Sequence, residues 1–163
     1  MQVITYHSIQ QASRSASVIW AIASAQYAQQ NELLRDTIIA ELISQLDLFA
    51  LNARRAIERL PKGEPIELDT PRWKWEPTND MPVVTMFDRA LNHIIHAASL
   101  EIGFEKLPDQ LSVIYGGASI IPYFHAETDQ HKKAFIDPFA LSHAYFYKVL
   151  PRFQSELGVS EEA

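Results

Sequence analysis

Hydrophobic positions in the first part of the chain recur at steps of three and four residues. Ile9, Ala12, Ala16, Ile19, Ala23 and Tyr27 form one such stripe, the pattern of a helix with a single buried face. Ser8-Ile9-Gln10-Gln11 has the Ser-x-x-Gln form of a capping box at its start. Many positions are Ala or Ser, so a neighbouring helix can approach closely. Asn31 marks a break. A second stripe runs through Ile38, Leu42, Leu46, Phe49, Ala53, Ile57 and Leu60, with Glu41, Gln45, Asn52, Arg55 and Arg59 filling the polar side, until Pro61-Lys62-Gly63 stops it. A helix from Asn31 to Leu60 is about 45 Å long. Two long helices in succession predict an antiparallel hairpin.

Beyond it the pattern changes. Pro61, Pro65, Pro71, Pro77 and Pro82 forbid a continuous helix, so residues 61–84 are predicted as a long loop. Within it, Arg72-Trp73-Lys74-Trp75 interleaves aromatic and basic side chains. Such a run either stacks nucleobases or pins the loop to the body through its tryptophans. A third helix is predicted from Thr85 to Gly103. After Pro108, "LSVIYGG", "SIIPYFHAE" and "KKAFID" suggest two or three short strands. Asp137-Pro138 opens a last helix, with Asp as N-cap and Pro in the first turn. Pro151 is expected to kink or end that helix, and the acidic tail beyond Gly158 to fray. The predicted fold is a single domain spanning residues 1–163, mainly α-helical. It is an antiparallel helical bundle built on the long hairpin, with a small β excursion near residues 111–137.

Composition narrows the function. The chain has 163 residues, 47% hydrophobic and 21% charged, enough for one domain with a real core. It has no cysteine, which excludes disulfides, zinc-thiolate sites and thiol catalysis. A reducing cytoplasm fits. The net charge of −6 argues against a broad electrostatic grip on nucleic acid but allows a local basic pocket. The apolar run Ala16–Ala25 is half of the roughly 20 residues a membrane span needs. It is read as helix rather than signal peptide, so no membrane association is expected.

The third helix carries the candidate chemistry. On a wheel of about 100° per residue, Arg89, Asn92, His93 and His96 share a polar sector with Thr85, opposite Phe87, Ala90, Leu91 and Ile94. Glu, Lys and Gln, the usual solubilising residues, are missing from it. Three readings fit. In the first, Arg89 holds a phosphodiester through its planar fork. His96 then exchanges a proton with a ribose 2′-OH or a leaving oxygen, and Asn92 orients the ring or contacts phosphate. This chemistry needs RNA, no metal and a second acid/base group, which a twofold dimer would supply. In the second, His93 and His96 bind a metal with help from His125, Glu127, Asp129 and His131. In the third, the face is a polar seam against another helix and the histidines are structural.

These residues carry a resemblance. Two long helices followed by a helix bearing Arg89 and, after six intervening residues, His96 resemble the HEPN superfamily. There about four to six residues separate an arginine from a histidine, and the six here lie at the loose end of that range. "LNARRAIERL" (Leu51–Leu60) is similar to the second helix of such domains. "NHIIHA" (Asn92–Ala97) is similar to the Asn-x-Ile-Ile-His-Ala segment of a group of bacterial HEPN-like proteins. The resemblance implies a metal-independent endoribonuclease working at a homodimer cleft, in a toxin–antitoxin or phage-defence setting, with a neutralising or effector protein partner. Arg89 and His96 would be catalytic, Asn92 and His93 auxiliary, and no cofactor or metal is implied. Ala90 departs from the polar residue that commonly follows the motif arginine. The competing expectation is a non-catalytic HEPN-like interaction module, with Arg55, Trp73 and Trp75 as possible ligand contacts.

Overall fold

The structure is a computed structural model that describes residues 3–78 and 80–156. The expected fraying beyond Gly158 lies outside these residues. Among them no helix is long and apolar enough to cross a membrane.

The hairpin forms as the stripes predict. Helix α1 (Val3–Ser24) packs along helix α2 (Glu32–Ile57). Ala12, Ala16 and Ala23 of α1 and Ala50, Ala53 and Ala56 of α2 are all buried, and their small side chains allow the close approach. The start of α1 is a correction. The helix is already running at Val3, and Ser8 is an interior residue, 2% exposed, rather than a cap. Asn31 does cap α2, its side chain accepting the Leu34 N–H at 3.0 Å. A two-residue strand, β1 (Tyr27–Ala28), lies in the connection.

The expected helical bundle is not what the rest of the chain builds. The structure is about 51% helix and 19% strand, a mixed α/β fold with a four-stranded antiparallel sheet. The third helix, α3, spans only Phe87–Ile95, and from Ala97 to Lys106 the chain is strand β2. "LSVIYGG" is not a strand; a 3-10 turn covers Asp109–Leu111, and Val113 and Tyr115 are exposed. Strand β3 (Ala118–Thr128) is the centre of the sheet, with β2 along one edge and β1 and β4 (Ala134–Ile136) sharing the other.

Pro122 explains the divided edge. A proline cannot donate to a ladder and is placed in sheets at bulges or unpaired edges. Here the β2–β3 register shifts between Gly103↔Tyr123 and Glu105↔Ile120, which leaves Ile121 and Pro122 in a bulge. On the other edge β1 pairs only with Ala118 and Ser119, and β4 only with Phe124–Ala126.

One core joins the helices to the inner sheet face. Phe49 of α2 meets Phe87 and Tyr145 edge-on, with centroids 6.1 and 5.4 Å away. Ile121, Phe124, Ala126 and Ile136 come from the sheet. The buried Tyr145 hydroxyl donates to the Ile9 carbonyl (3.1 Å) and hydrogen-bonds Ser13 Oγ (2.8 Å), tying the C-terminal helix to α1 without an unpaired polar atom.

Asp137 opens helix α4 (Pro138–Ala144) as expected, accepting the Ala140 N–H at 3.0 Å. Pro151 does not end the helix. A π-turn at Tyr145–Val149, closed by Leu150 N–H donating to the Tyr145 carbonyl, leads into α5 (Leu150–Glu156), whose second residue is Pro151. The wider turn lies where the proline ring would otherwise crowd the carbonyl of Tyr147.

Candidate functional site

Helix α3 is divided as its sequence suggests. Phe87, Ala90, Leu91 and Ile94 are buried, whereas Arg89 and Asn92 are exposed and His93 half-buried. His96 is the C-cap, with φ −101° and ψ 13°, and its N–H still reaches the Asn92 carbonyl at 3.0 Å. The helix thus ends where its polar face ends, and the next residue starts β2.

That transition creates the site. Ala97, the first residue of β2, pairs with Thr128, the last residue of β3. The turn between β3 and β4 is thereby brought beside α3. Thr128, 9% exposed, holds this turn in shape. Its Oγ1 accepts the Gln130 and His131 N–H groups at 3.3 and 2.9 Å, and its own N–H donates to the His131 carbonyl at 3.2 Å. Between helix and turn lies an open cleft of about 790 Å3, lined by Arg89, Asn92, His93, His96, Thr128, Asp129, Gln130 and His131. Its size is in the range of small-molecule sites.

The imidazoles are placed by identifiable contacts. His93 Nδ1 lies 2.9 Å from the Arg89 carbonyl. A carbonyl only accepts, so Nδ1 carries the proton, and in the neutral ring Nε2 keeps its lone pair. His131 stacks on His93 with centroids 5.5 Å apart and planes at 25°. Arg89 and Asp129 both line the cleft, yet neither takes part in an ion pair among the described residues. The cleft therefore offers a permanent cation, hydrogen-bonding imidazoles and a carboxylate to whatever enters it.

The other residues singled out in the sequence lie elsewhere. Arg55 is exposed on α2, does not line the cleft and, like Arg54, forms no ion pair among the described residues. Trp73 and Trp75 pin the proline-rich loop. Trp73 Nε1 donates to the Ala23 carbonyl at 2.8 Å, and its ring packs beside Leu107, Ala118 and Ile120. Trp75 covers the outer sheet face against Tyr123 and Phe135, at 5.0 and 5.4 Å, and its Nε1 donates to Asp137 Oδ2 at 3.3 Å. With both indole N–H groups used internally, neither ring is presented to the cleft.

The metal alternative divides in the same way. His125 belongs to the outer face, between Tyr123 and Phe135 and 3.8 Å from Glu101. Burial, aided by Lys133 nearby, lowers its pKa, and Glu101 opposes the shift. Of that set only Asp129 and His131 join His93 and His96 in the cleft. No group of three or more His, Asp or Glu among the described residues is placed to hold a metal ion.

Sequence reasoning found the helix half of the cleft and brought Asp129 and His131 to it only as metal ligands, in company with His125 and Glu127, which the structure leaves out of the cleft lining. Thr128, Asp129, Gln130 and His131 lie in the middle of seven consecutive polar residues, Glu127–Lys133, between two apolar-rich runs, a hairpin tip by composition. Nothing in that pattern says which element the tip faces. Comparison with family models, with curated proteins and with solved structures finds no match for the chain.

Proposed function

We propose that the protein cleaves RNA without a metal, in the cleft between α3 and the β3–β4 turn. The observation that carries this reading is the presence of Arg89, His96 and His131 in the lining of one solvent-open cleft of a single chain. Arg89 binds the scissile phosphate through its fork of N–H donors. His96 and His131 form the acid–base pair. One takes the proton from the ribose 2′-OH as that oxygen attacks phosphorus, and the other gives a proton to the departing 5′-oxygen. The P–O5′ bond breaks as the P–O2′ bond forms, leaving a 2′,3′-cyclic phosphate and a free 5′-hydroxyl. Both rings then recover their starting protonation from water. His93 supports His131 from below, its own orientation held by the Arg89 carbonyl.

Two features support this reading over a purely structural role. The polar face of α3 opens on solvent rather than on a dry helix seam, and the second acid/base group is present in the same chain, so a partner's residue is not required. The basis is side-chain chemistry at the cleft, not kinship with a known enzyme.

The test is direct. Purified protein is incubated with RNA in EDTA, and products are analysed for cyclic-phosphate ends beside a DNA of the same sequence. RNA alone is expected to be cut, with His96→Ala slower by about 10²–10⁴-fold, the usual contribution of one acid/base group. Equal cleavage by both proteins, or none by either, overturns the proposal.

A further inference from the structure

Asp129 is out of place in a cleft that serves only to hold a phosphate. An ionised carboxylate repels an anion, and Arg89, in the same cleft, does not neutralise it through an ion pair. The two charges instead stand as separate features of one cavity. A ligand that satisfies both must carry an anionic group for Arg89 and, at some distance from it, hydrogen-bond donors for Asp129.

An ionised carboxylate has two acceptor oxygens and no donor. Among the four RNA bases, only guanine presents two adjacent donors, N1–H and the N2 amino group, on its Watson–Crick edge. Adenine and cytosine each set a single amino donor beside one or two acceptors there, and uracil flanks one donor with two acceptors. Gln130, next in the turn and also in the lining, carries an amide N–H of the kind that guanine O6 accepts. Single-stranded RNA exposes these edges to protein groups.

We propose that the cleft selects guanosine, with Asp129 accepting from the guanine N1–H and N2–H groups while Arg89 holds the adjoining 3′-phosphate. This assignment rests on the RNA-cleaving reading for its catalytic consequence, cleavage after G, but the binding preference stands without it. The volume of about 790 Å3 accommodates a nucleotide and leaves the entrance open to the rest of the strand.

The experiment titrates the full chain with guanosine, adenosine, cytidine and uridine 3′-monophosphates, following heat, and measures cleavage of the matching dinucleotides. Guanosine 3′-monophosphate is expected to bind about 10-fold or more tighter than the others, as one good bidentate contact allows. Asp129→Asn should remove that preference and leave the other three affinities in place, whereas Arg89→Ala should weaken all four. Equal binding of the four nucleotides, a preference that survives Asp129→Asn, or no binding at all overturns the guanosine site. Equal cleavage of all four dinucleotides overturns the selectivity and keeps the ribonuclease reading. Guanosine-selective binding with no cleavage keeps the guanosine site and overturns the ribonuclease reading.

Discussion

His131, at the end of a hairpin turn, stacks its imidazole on that of His93, in the last turn of α3, with centroids 5.5 Å apart. The contact joins the two walls of the cleft and gives α3 an acid/base partner from its own chain. In the proposed mechanism His131→Ala lowers the rate of cyclic-phosphate formation by about 10²–10⁴-fold, as much as His96→Ala. His93→Ala should cost less, because that ring acts by positioning His131. Circular dichroism of each variant checks that the fold is intact. An undiminished rate for His131→Ala would remove it from the mechanism.

Mixing experiments follow from the same geometry. Because one cleft contains Arg89, His96 and His131 together, inactive Arg89→Ala and His96→Ala chains are not expected to restore activity when combined. Recovery after proven subunit exchange would mean that two chains share the site, as the homodimer expectation supposes.

Asp137 predicts a pH dependence of stability. Burial raises its carboxyl from the ordinary 3.8 to about 6, against the opposing hydrogen bonds from Ala140 and Trp75. Between about pH 4 and 6 the folded chain retains a proton that the unfolded chain has released. The contribution of this group to stability therefore falls as pH rises through that window and is level above it, by an amount on the order of 2–3 kcal/mol. Urea unfolding at a series of pH values should show this slope, and Asp137→Asn should flatten the part due to this residue. An unchanged slope in the variant would contradict the assignment.

Gly103 faces Tyr123 across the β2–β3 ladder. A Cβ at Gly103 would overlap the Tyr123 ring, which stacks on His125 at 5.2 Å and packs against Trp75. Gly103→Ala is expected to destabilise the protein by about 1–3 kcal/mol, the usual cost of overpacking. In a Tyr123→Ala background the same change should cost much less, a coupling that a double-mutant cycle measures directly. Additive effects would show that the ring and the glycine do not meet.

The features that the sequence determined by itself are those whose physics is local. The stripes of α1 and α2 follow from a helical period that needs no distant partner, and Asn31 and Asp137 cap helices whose N–H groups lie within the next few residues. The polar sector of α3 was likewise readable from residue type and spacing, whereas for Trp73 and Trp75 residue type left stacking and anchoring open and the tertiary contacts decided for anchoring. Only the tertiary structure decided β2. Ile94, Ala98 and Ile102 fit a helix, while Leu100, Ile102 and Phe104 fit a strand, so the two periods compete within the same residues. The strand wins because its ladder partner is β3, from Ser119 to Thr128, which no local window contains. Which residues form the second wall of the cleft was decided in the same way: residue type offered Asp129 and His131 together with His125 and Glu127, and only the Ala97–Thr128 pairing carries the first two to α3, since hydrogen bonds between segments distant in sequence leave no local period in either.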